Sequence, residues 1–500
     1  MGFRRYKIRL ACAFVVMAVF LFCAGALQAA KFEQGDWVNY TNFKYVSAIA
    51  ADQKVVYFGT TGGIIRYDRF ADEWLDPLTA SGGLPSNDVR GLAYDPQYNE
   101  LWVMTARGAA KYNLTFESWY VDSDFPENLV INNWNSARFR SLFTPFRYDY
   151  VNGQIMDPNM RKYPITVGFE DDNDLMYIGT WGLGVGIINT RLLRYEPMAY
   201  GPFNYNISKV VEIDGDLWMG TDYTLPEQGI TRYDLQSAKW DYFESPYTFG
   251  LGNTEITSGI GNGEITWLGT RGGLVKVENV SSFTTYGAVK GLPSDRIMSL
   301  AEYGGYIYVG TDNGLGLFPS GGDTPDSAFA TPLTDDYLLH GRRINDLLVF
   351  HGTLYIATED GAFAYDADSL KFKSLDTPAG DLNYGVNDIF AEADNLYFAA
   401  RFGVVIIDMQ TESPRVATDP SLADHWSLRE IYGDKRYIWA ATSLGLWRYK
   451  KADMSTNLYT IADGLPTNDL NSLVVDGDYL WLGSNQGLVR FFWNDPGRGD

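Results

Sequence analysis

The sequence predicts an all-β protein, a β-propeller of four-stranded antiparallel blades in which about ten blades form one ring. A motif recurs ten times along the 500 residues. Every copy shows period-2 hydrophobic alternation bounded by turn residues, and we find no long stretch with the 3.6-residue period of a helix. Each motif joins an apolar strand with Tyr or Trp to a Gly-Thr-like corner, a glycine turn and a second apolar strand, as in residues 56–67 and 480–491.

The aromatic residue of each motif marks the phase of the repeat. Successive markers are 41 to 49 residues apart, except for one gap of 75 residues. Self-similarity at this period is typical of one supersecondary unit per copy. We expect the markers to lie in the core between blades; they are Tyr57, Trp102, Tyr177, Trp218, Trp267, Tyr308, Tyr355, Tyr397, Trp439 and Trp481.

A single unit contains enough sequence for four short strands. In the unit from 86 to 122, the predicted strands are 89–94, 101–104, 109–112 and 118–121. Asp-Gly pairs between first and second strands in other copies, such as Asp214-Gly215, favour tight hairpins because both central residues tolerate positive φ. Four antiparallel strands per repeat describe a propeller blade, and such blades must stack around an axis to bury their faces.

The two ends of the repeat region predict how the ring closes. The last copy ends after its third strand, at 491–493, and residues 36–41 match the fourth-strand pattern of 239–243 and 457–460. We therefore expect the N-terminal strand to complete the last blade and protect an exposed edge. This favours one closed ring of ten blades; the alternative is two smaller propellers of five blades each.

Residues 1–30 have the pattern of a cleavable export signal. Four basic residues precede an apolar run from Leu10 to Leu27, and small residues end at Ala30. Retention as an uncleaved anchor is the alternative. Cys12 and Cys23 both lie within this segment, so the predicted mature chain, 31–500, has no disulfide.

Charge excludes two classes of partner. Removing four basic residues of the signal from 40 Lys and Arg, against 62 Asp and Glu, leaves a net charge of about −26. Such a surface repels nucleic acid and anionic lipid. No second apolar stretch is long enough to span a bilayer. We expect a protein of the periplasm or the extracellular medium.

The 75-residue gap predicts an insertion between blades two and three, at 125–162. Its composition is basic and aromatic on an otherwise acidic chain. Arginine and aromatic side chains that project over a channel mouth are suited to hold an anionic or sugar-like ligand. The insertion therefore supplies three predicted ligand-binding residues, Arg138, Arg140 and Arg147.

The repeat resembles the two-component regulator propeller repeat. The resemblance rests on Gly-Leu-Pro segments at 83–85, 291–293 and 464–466, which precede first strands, together with the Leu-Trp-Leu-Gly-Ser-x-x-Gly-Leu core, and it covers residues 35 to 493. It implies an extracytoplasmic sensor-type propeller that often binds carbohydrate. Kinase and receiver domains are not found in these 500 residues, so the resemblance implies a separate membrane sensor or envelope protein as partner.

Turns between second and third strands lie on the channel face of a propeller, where ligands usually bind. Their central residues vary while the flanking residues stay constant, which suits a recognition surface. Solvated turn residues are the simpler interpretation for any one of them. The predicted ligand-binding residues on these turns are Arg107, Trp181, Asp222, Arg271, Asp312 and Arg401, with Glu359 and Asn485 in equivalent positions.

We expect no metal, cofactor or catalytic residue. His351 lies in a turn on the face opposite to His340 and His425, so three histidines cannot meet at a zinc ion. The acidic run 170–174 lacks the glycine and the distant glutamate of a calcium loop. The glycines of 182–186 join two strands and do not precede a helix, which excludes a phosphate loop.

Three functions remain open. The first is an exported, non-catalytic propeller that binds a ligand or protein partner and is similar to a sensor domain. The second is an assembly or scaffold protein of the cell envelope. The third is a polysaccharide-active enzyme that uses loop carboxylates, because an acidic ring contains close carboxylate pairs. Fold cannot distinguish them, since propellers serve all three purposes.

Overall fold

A computed structural model describes residues 35–121, 124–131, 147–171, 173–222, 227–321, 331–332, 339, 341–366, 371–377, 380–401, 403–418 and 427–494. In these residues the chain is all-β, with ten antiparallel sheets joined by turns and four short 3₁₀ turns. The all-β prediction is confirmed. The 3₁₀ turns are Ala80–Gly82, Glu127–Leu129, Ala288–Lys290 and Ile461–Asp463.

The first part of the chain forms one separate strand and three blades. The strand is β1 (Trp37–Tyr40). Blade one contains β2 (Val46–Ala51), β3 (Val55–Thr60), β4 (Gly63–Asp68) and β5 (Glu73–Leu78). Blade two contains β6 (Val89–Asp95), β7 (Glu100–Thr105), β8 (Gly108–Asn113) and β9 (Ser118–Val121). Blade three contains β10 (Asp149–Val151), β11 (Gln154–Met156), β12 (Lys162–Glu170), β13 (Leu175–Thr180), β14 (Val185–Asn189) and β15 (Arg194–Met198).

The rest of the chain forms seven blades. Blade four contains β16 (Ile207–Ile213), β17 (Asp216–Thr221), β18 (Gln228–Asp234) and β19 (Lys239–Ser245). Blade five contains β20 (Ile256–Gly261), β21 (Ile265–Thr270), β22 (Gly273–Glu278) and β23 (Ser282–Tyr286). Blade six contains β24 (Ile297–Tyr303), β25 (Tyr306–Thr311), β26 (Gly314–Pro319) and β27 (Thr331–Pro332). Blade seven contains β28 (Ile344–Phe350), β29 (Thr353–Thr358), β30 (Gly361–Asp366) and β31 (Lys371–Ser374).

Blades eight to ten follow the same order. Blade eight contains β32 (Val386–Glu392), β33 (Asn395–Ala400), β34 (Gly403–Asp408) and β35 (Ser413–Ala417). Blade nine contains β36 (Leu428–Gly433), β37 (Tyr437–Thr442), β38 (Leu446–Lys450) and β39 (Thr456–Tyr459). Blade ten contains β40 (Leu470–Asp476), β41 (Tyr479–Ser484) and β42 (Gly487–Phe492), and β1 is its fourth strand.

The first strands of blades four to ten contact one another in a closed circuit, from β16 through β20, β24, β28, β32, β36 and β40 back to β16. We call these seven blades the ring. Side chains at the second position of a blade's first strand support the circuit. They donate a hydrogen bond to the backbone carbonyl of the first residue in the first strand of the next blade. Asn387 donates to Leu428 O (2.6 Å), and Asn471 donates to Ile207 O across the seam (2.7 Å).

Blades one to three form a separate group, which we call the arc. Its central blade is blade one, because β2 contacts both β6 and β12. The same type of hydrogen bond joins these blades, since Thr166 donates to Val46 O (2.8 Å) and Ser47 donates to Val89 O. The spatial order in the arc is therefore three, one, two.

The prediction of one ring of ten blades is wrong, and so is the alternative of two rings of five. A ten-blade ring requires β2 to pack beside β40 and β12 beside β16. Instead β16 packs on β40, and β2 packs on β12. The hydrogen bond between Asn471 and Ile207 joins residues 264 positions apart and leaves the arc outside the circuit.

The predicted role of the N-terminal strand is confirmed. β1 pairs with β42 in antiparallel register, Trp37 opposite Phe491 and Tyr40 opposite Leu488. The indole of Trp37 stacks on the phenyl group of Phe491, with centroids 3.7 Å apart. A strand from the start of the chain thus completes the last blade of the ring.

Burial of the aromatic markers reflects this arrangement. Nine of the ten are at most 6% exposed, which confirms the prediction that they form the core between blades. Trp102 is the exception and is partly exposed. Its blade, blade two, lies at one end of the arc, where the described residues place no further blade.

The arc and the ring share one hydrophobic cluster. Tyr40 and Trp481 of blade ten pack with Tyr200 and Trp240 at blade four, and Tyr200 donates its hydroxyl to Leu75 O of blade one (2.8 Å). Polar contacts add to this interface, because Arg490 of blade ten forms an ion pair with Asp76 of blade one (2.6 Å). Trp74 of the arc packs against Tyr200 with ring centroids 4.7 Å apart, and within the ring Tyr40 contacts Tyr200 and Trp240.

We expect Asn471→Ala to lower the free energy of unfolding by about 1–3 kcal/mol, because it leaves the buried carbonyl of Ile207 without its donor. Denaturant unfolding of the purified protein measures this loss. The matched control is Asn387→Ala, which removes the equivalent bond inside the ring. An Asn471 variant as stable as the wild type, beside a destabilised Asn387 variant, would show that blades ten and four do not meet.

Candidate functional site

The turns between second and third strands share one hydrogen-bond pattern. In blade five, Thr270 donates to Gly273 O (2.8 Å) and accepts from Gly272 N (3.1 Å), so that Arg271 is displayed between them. Gly273 has φ +133°, which an L side chain rarely adopts. The hydroxyl-to-glycine bond recurs at Thr60, Thr105, Thr311, Thr358, Thr442 and Ser484. A constant backbone therefore presents a variable side chain.

Several predicted ligand-binding residues on the ring contact their own neighbours. Arg271 forms an ion pair with Glu255 (2.7 Å), and Asp312 forms a longer one with Arg296 (3.6 Å). Asp222 accepts a hydrogen bond from the Asn206 side chain (3.2 Å). Arg401 lies exposed in the equivalent turn of blade eight. The structure does not bring these four residues together at one site.

A cavity of about 560 Å³ lies along the channel of the ring, lined by first strands of its blades. Arg271 is the predicted residue that lines it, at one end together with Arg343 and Arg429. Asp222, Asp312 and Arg401 are not among its described lining residues. The predicted insertion contributes none of its described residues to this lining either.

The third position of the first strand distinguishes the ring from the arc. In every blade this position follows a register shift in the pairing of the first two strands. It is polar or charged throughout the ring and apolar or glycine in the arc. The ring residues are Lys209, Ser258, Ser299, Asp346, Asp388, Glu430 and Ser472; those of the arc are Ala48, Gly91 and, at the equivalent place after the register shift in the longer strand β12, Val167.

These side chains tie neighbouring blades together. Asp346 accepts from Ile389 N (2.9 Å), and Glu430 accepts from Leu473 N (3.0 Å). At the seam Ser472 accepts from Val210 N (2.9 Å). Asp346, Glu430 and Ser472 therefore each accept a backbone N–H of the next blade, close to the register shift of that blade.

Four of the third-position residues also interact across the channel. Lys209 reaches past blade ten to form an ion pair with Glu430 of blade nine (2.7 Å). Burial raises the pKa of Asp346 to about 6, and burial together with the charges of Asp346 and Glu430 raises the pKa of Asp388 well above its usual range. Burial alone would lower the pKa of Lys209, but the surrounding carboxylates raise it. These four third-position residues thus place three carboxyl groups near one ammonium.

A second concavity of about 640 Å³ lies between the arc and the ring, and we call it the cleft. Its lining combines aromatic, amide and carboxylate side chains. Tyr205 is 47% exposed and Glu227 is 42% exposed, so both offer polar atoms to solvent. The described lining residues are Thr41, Asn42, Tyr45, Thr61, Gly62, Asn87, Asn204, Tyr205, Glu227, Asn485 and Gln486.

Predicted residue Trp181 lies beside the cleft. Its ring packs edge-on against Tyr45, with centroids 5.3 Å apart, and it is 46% exposed. Tyr45 lines the cleft, and its hydroxyl approaches Glu227 (3.5 Å). Lys44 forms an ion pair with Glu227 (2.9 Å) and lies over the ring of Phe203, where burial lowers the pKa of Lys44. The cleft wall is therefore held by contacts between arc and ring.

The described part of the predicted insertion extends blade three. β10 and β11 form a hairpin that pairs with the start of β12, and Ile155 of this hairpin is fully buried. Arg161 then joins the arc to blade four through an ion pair with Glu244 (2.6 Å). Arg147 lines a shallow groove on blade three with Tyr148. Arg138 and Arg140 lie outside the described residues.

The structure offers few groups for metal binding. Among the described residues, no group of three or more His, Cys, Asp or Glu side chains could hold a metal ion. His351 stacks on Phe350 with ring centroids 3.9 Å apart. His340 and His425 lie outside the described residues. Within the part of the chain that the structure covers, no helix has the length and apolar character needed to cross a membrane.

The sequence patterns described above do not reveal the channel carboxylates or most of the cleft. Asp346, Asp388 and Glu430 occupy equivalent positions in three successive repeats, so aligning first strands would have shown that charge recurs there. The cleft gave no such signal. Its residues come from blades one, two, four and ten, and it exists only because the arc lies against the ring.

Comparison with known proteins rests on structure alone. No protein-family model matches the chain, and no curated protein sequence matches it at a significant level. The extracellular domain of a protein described as a hybrid two-component system of B. thetaiotaomicron has a similar structure, with a TM-score of 0.50 and 14% identity over 90% of this chain and 70% of that chain. At this identity the likeness shows the fold.

Two further solved structures are similar over most of the chain. One is the extracellular domain of another described hybrid two-component system of B. thetaiotaomicron, with a TM-score of 0.47, 18% identity, and coverage of 89% of this chain and 61% of that chain. The other is PorZ, a surface component of the type-IX secretion system of Porphyromonas gingivalis, with a TM-score of 0.49, 13% identity, and coverage of 91% and 69%. The chain therefore shares its fold with the extracellular domain in the first of these comparisons.

Proposed function

We propose that this chain is an exported, non-catalytic recognition module that binds a short oligosaccharide in the cleft between the arc and the ring. The observation that carries the proposal is the lining of the cleft, where the exposed ring of Tyr205 and the partly exposed ring of Tyr45 stand beside amide side chains. Sugars present an apolar ring face and a periphery of hydroxyl groups. Aromatic side chains can stack on the first, and amide and carboxylate groups can hydrogen-bond the second.

The location of the cleft supports the proposal. Binding sites are common at boundaries between structural units, where few changes of the core are needed to shape a pocket. Here one wall is built on blades one and two and the other on blades four and ten. Its volume of about 640 Å³ is within the range of small-molecule sites.

The charged groups of the cleft favour binding over hydrolysis. Glycoside hydrolysis normally requires two carboxyl groups that flank the scissile bond. Among the described lining residues, Glu227 is the one carboxylate, and it is paired with Lys44 (2.9 Å). A paired carboxylate can accept hydrogen bonds from hydroxyl groups but lacks its catalytic partner.

Export rests on residues 1–30, whose pattern of basic, apolar and small residues predicts a signal segment. In the periplasm or outside the cell, a propeller that binds oligosaccharide would report on available glycan. The similarity of fold to extracellular sensor propellers agrees with that role. A separate membrane sensor or envelope protein would then transmit the signal.

Tyr205→Ala tests the cleft. We expect it to weaken binding of an oligosaccharide found in a glycan-array screen by about tenfold, or 1.4 kcal/mol, because it removes an exposed ring of the lining. Titration calorimetry measures the change. Tyr98→Ala is the matched control, since Tyr98 is also exposed but lies in a first-to-second-strand turn.

The outcomes separate the alternatives. Equal affinity of the Tyr205 and Tyr98 variants would place the ligand elsewhere. Release of shorter products by the purified wild type would show an enzyme. Failure of all oligosaccharides to bind, together with co-purification of a fixed envelope protein, would favour an assembly role.

A further inference from the structure

Beside the cleft lies a groove of about 680 Å³ between two equivalent loops. One loop is the 3₁₀ turn Ala80–Gly82 of the arc, and the other is the 3₁₀ turn Ile461–Asp463 of the ring. Asparagine side chains hold both turns in the same way. Asn87 accepts from Ala80 N (2.7 Å), and Asn468 accepts from Ile461 N (2.9 Å). The groove is thus a shaped feature on the same boundary as the cleft.

The groove and the cleft are continuous. Asn87 of blade two and Gln486 of blade ten line both of them. A ligand that fills the cleft can therefore extend past these two amide side chains into the groove. We call the continuous depression the trough. The cleft and the groove measure about 640 and 680 Å³, each within the range of a small-molecule site, so together they have room for a linear chain of several sugar units.

Arg107 lies at the groove end of the trough. The turn that carries it is fixed, because Thr105 donates to Gly108 O (2.8 Å) and accepts from Arg107 N (3.1 Å). The side chain is exposed, and the described residues give its guanidinium no ion pair. A rigid backbone thus holds an available cation at the edge of the binding surface.

The other charged groups of the trough are already engaged. Glu227 is paired with Lys44 (2.9 Å). Asp463 accepts from Thr460 N (2.8 Å) as part of a capping box. Among the described lining residues of the trough, Arg107 is therefore the one cation, and it has no ion pair; the carboxylate of Asp463 keeps its charge, but its Oδ2 accepts from the N–H and the hydroxyl of Thr460.

We propose that the trough binds an acidic oligosaccharide and that Arg107 contacts an anionic substituent, a uronate carboxylate or a sulfate ester. The proposal rests on the proposed function of the cleft and adds the charge and length of its ligand. A guanidinium presents paired N–H donors that match the oxygens of either group, which makes such hydrogen bonds stronger than neutral ones.

The acidic surface of the protein does not prevent this contact. The net charge of the full chain is −22, distributed over the whole surface. At about 0.15 M salt the Debye length is about 8 Å, so most of this charge is screened at the groove. An ion pair in direct contact is screened much less. The local guanidinium therefore determines which substituent binds.

The test compares matched ligands. An oligouronate, its carboxyl-reduced neutral counterpart and a sulfated analogue of the same length are titrated at 0.15 M salt into the wild type, Arg107→Gln and Arg90→Gln. Arg90 is the control because it is exposed on the same blade but already paired with Asp88 (3.1 Å). We expect the wild type and the Arg90 variant to bind at least one acidic ligand about tenfold more tightly than the neutral one.

In Arg107→Gln we expect this tenfold preference to disappear while affinity for the neutral ligand stays unchanged. Preference for the uronate over the sulfate, or the reverse, identifies the substituent. Equal wild-type affinities for acidic and neutral ligands, or an equal loss of both in Arg107→Gln, would refute the acidic ligand and leave the proposed function intact. Failure of all three to bind the wild type would refute both.

Discussion

Trp37→Ala is expected to destabilise the ring by about 3–5 kcal/mol, the usual cost of truncating a buried tryptophan. Trp37 is 5% exposed and stacks on Phe491. It also packs beneath a loop of the ring, since a Cβ on Gly464 would come within 2.6 Å of its indole. Because β1 is held in blade ten by only four paired residues, loss of this side chain should release the strand.

Denaturant unfolding and limited proteolysis measure the effect. We expect a lower midpoint of unfolding and new cleavage between β1 and β2, where the detached segment becomes accessible. Phe116→Ala, which removes a 75% exposed aromatic in a turn, is the control and should change neither. Unchanged stability of the Trp37 variant would contradict the role of β1 in closing the ring.

Lys209→Met is expected to destabilise the protein by about 3 kcal/mol at pH 8, the lower end of the cost for a buried pair, because it removes the ammonium from an ion pair whose side chains are 22% and 15% exposed and leaves its carboxyl partners uncompensated. Glu430, at 2.7 Å, loses its direct partner. Asp346 and Asp388 lose the nearby charge that lowers their pKa values. Urea unfolding at a series of pH values measures the loss.

This loss should shrink as the pH falls from about 6 toward 4. The pKa of Asp346 is raised to about 6 in the folded state, and the pKa of Asp388 is raised well above its usual range. The folded protein therefore binds these protons more tightly than the unfolded chain, and protonation stabilises the fold as pH falls. Without the Lys209 ammonium, the pKa values of Asp346 and Asp388 are expected to rise further in the folded state. The variant should therefore gain more stability on acidification than the wild type.

Adding Asp388→Asn to Lys209→Met provides the control. Asparagine retains an acceptor for Ile431 N and removes one buried charge. We expect the double variant to recover part of the lost stability at pH 8 and to show a weaker pH dependence. A Lys209 variant with the same deficit at pH 4.5 and pH 8 would show that packing, and not charge, explains the effect.

The repeat determined the blades but not their grouping. Within one copy, strands and turns follow from alternation and glycine placement, so the four strands of blade two appear where the sequence predicts them. The sequence-based prediction of β1 in blade ten also succeeded, because a fourth-strand pattern at 36–41 had one incomplete partner. Similar repeats show the same strand and turn patterns whichever blades lie beside them.

Grouping depends on differences between copies. Asn471 and Asn387 form equivalent hydrogen bonds to the next blade. The bond of Asn471 closes the ring, because it joins residues 264 positions apart in the sequence. Lys209 and Ala48 occupy equivalent positions, and the charged residue belongs to the ring while the apolar one belongs to the arc. This contrast is readable from aligned repeats, but its meaning requires knowing which first strands surround one channel.

The candidate site was partly accessible from the sequence. Arg107 and Trp181 were predicted because variable residues on constant turns are typical of recognition surfaces, and both lie at the boundary of arc and ring. Tyr205 and Glu227 gave no signal, since each is an ordinary loop or turn residue until the arc covers it. Sites between units depend on docking, which local patterns do not encode.

The pairing of β1 with β42 sets an order of events during synthesis. Among the described residues the first strand belongs to the ring, the next strands form the arc and the remaining ones complete the ring, so the arc can fold once β15 has emerged. Blade ten cannot form before β40, β41 and β42 are present, and β1 must wait unpaired until then. Contacts between distant segments slow folding. Closure of blade ten therefore has to wait until β42, the last strand of the described residues, has been made.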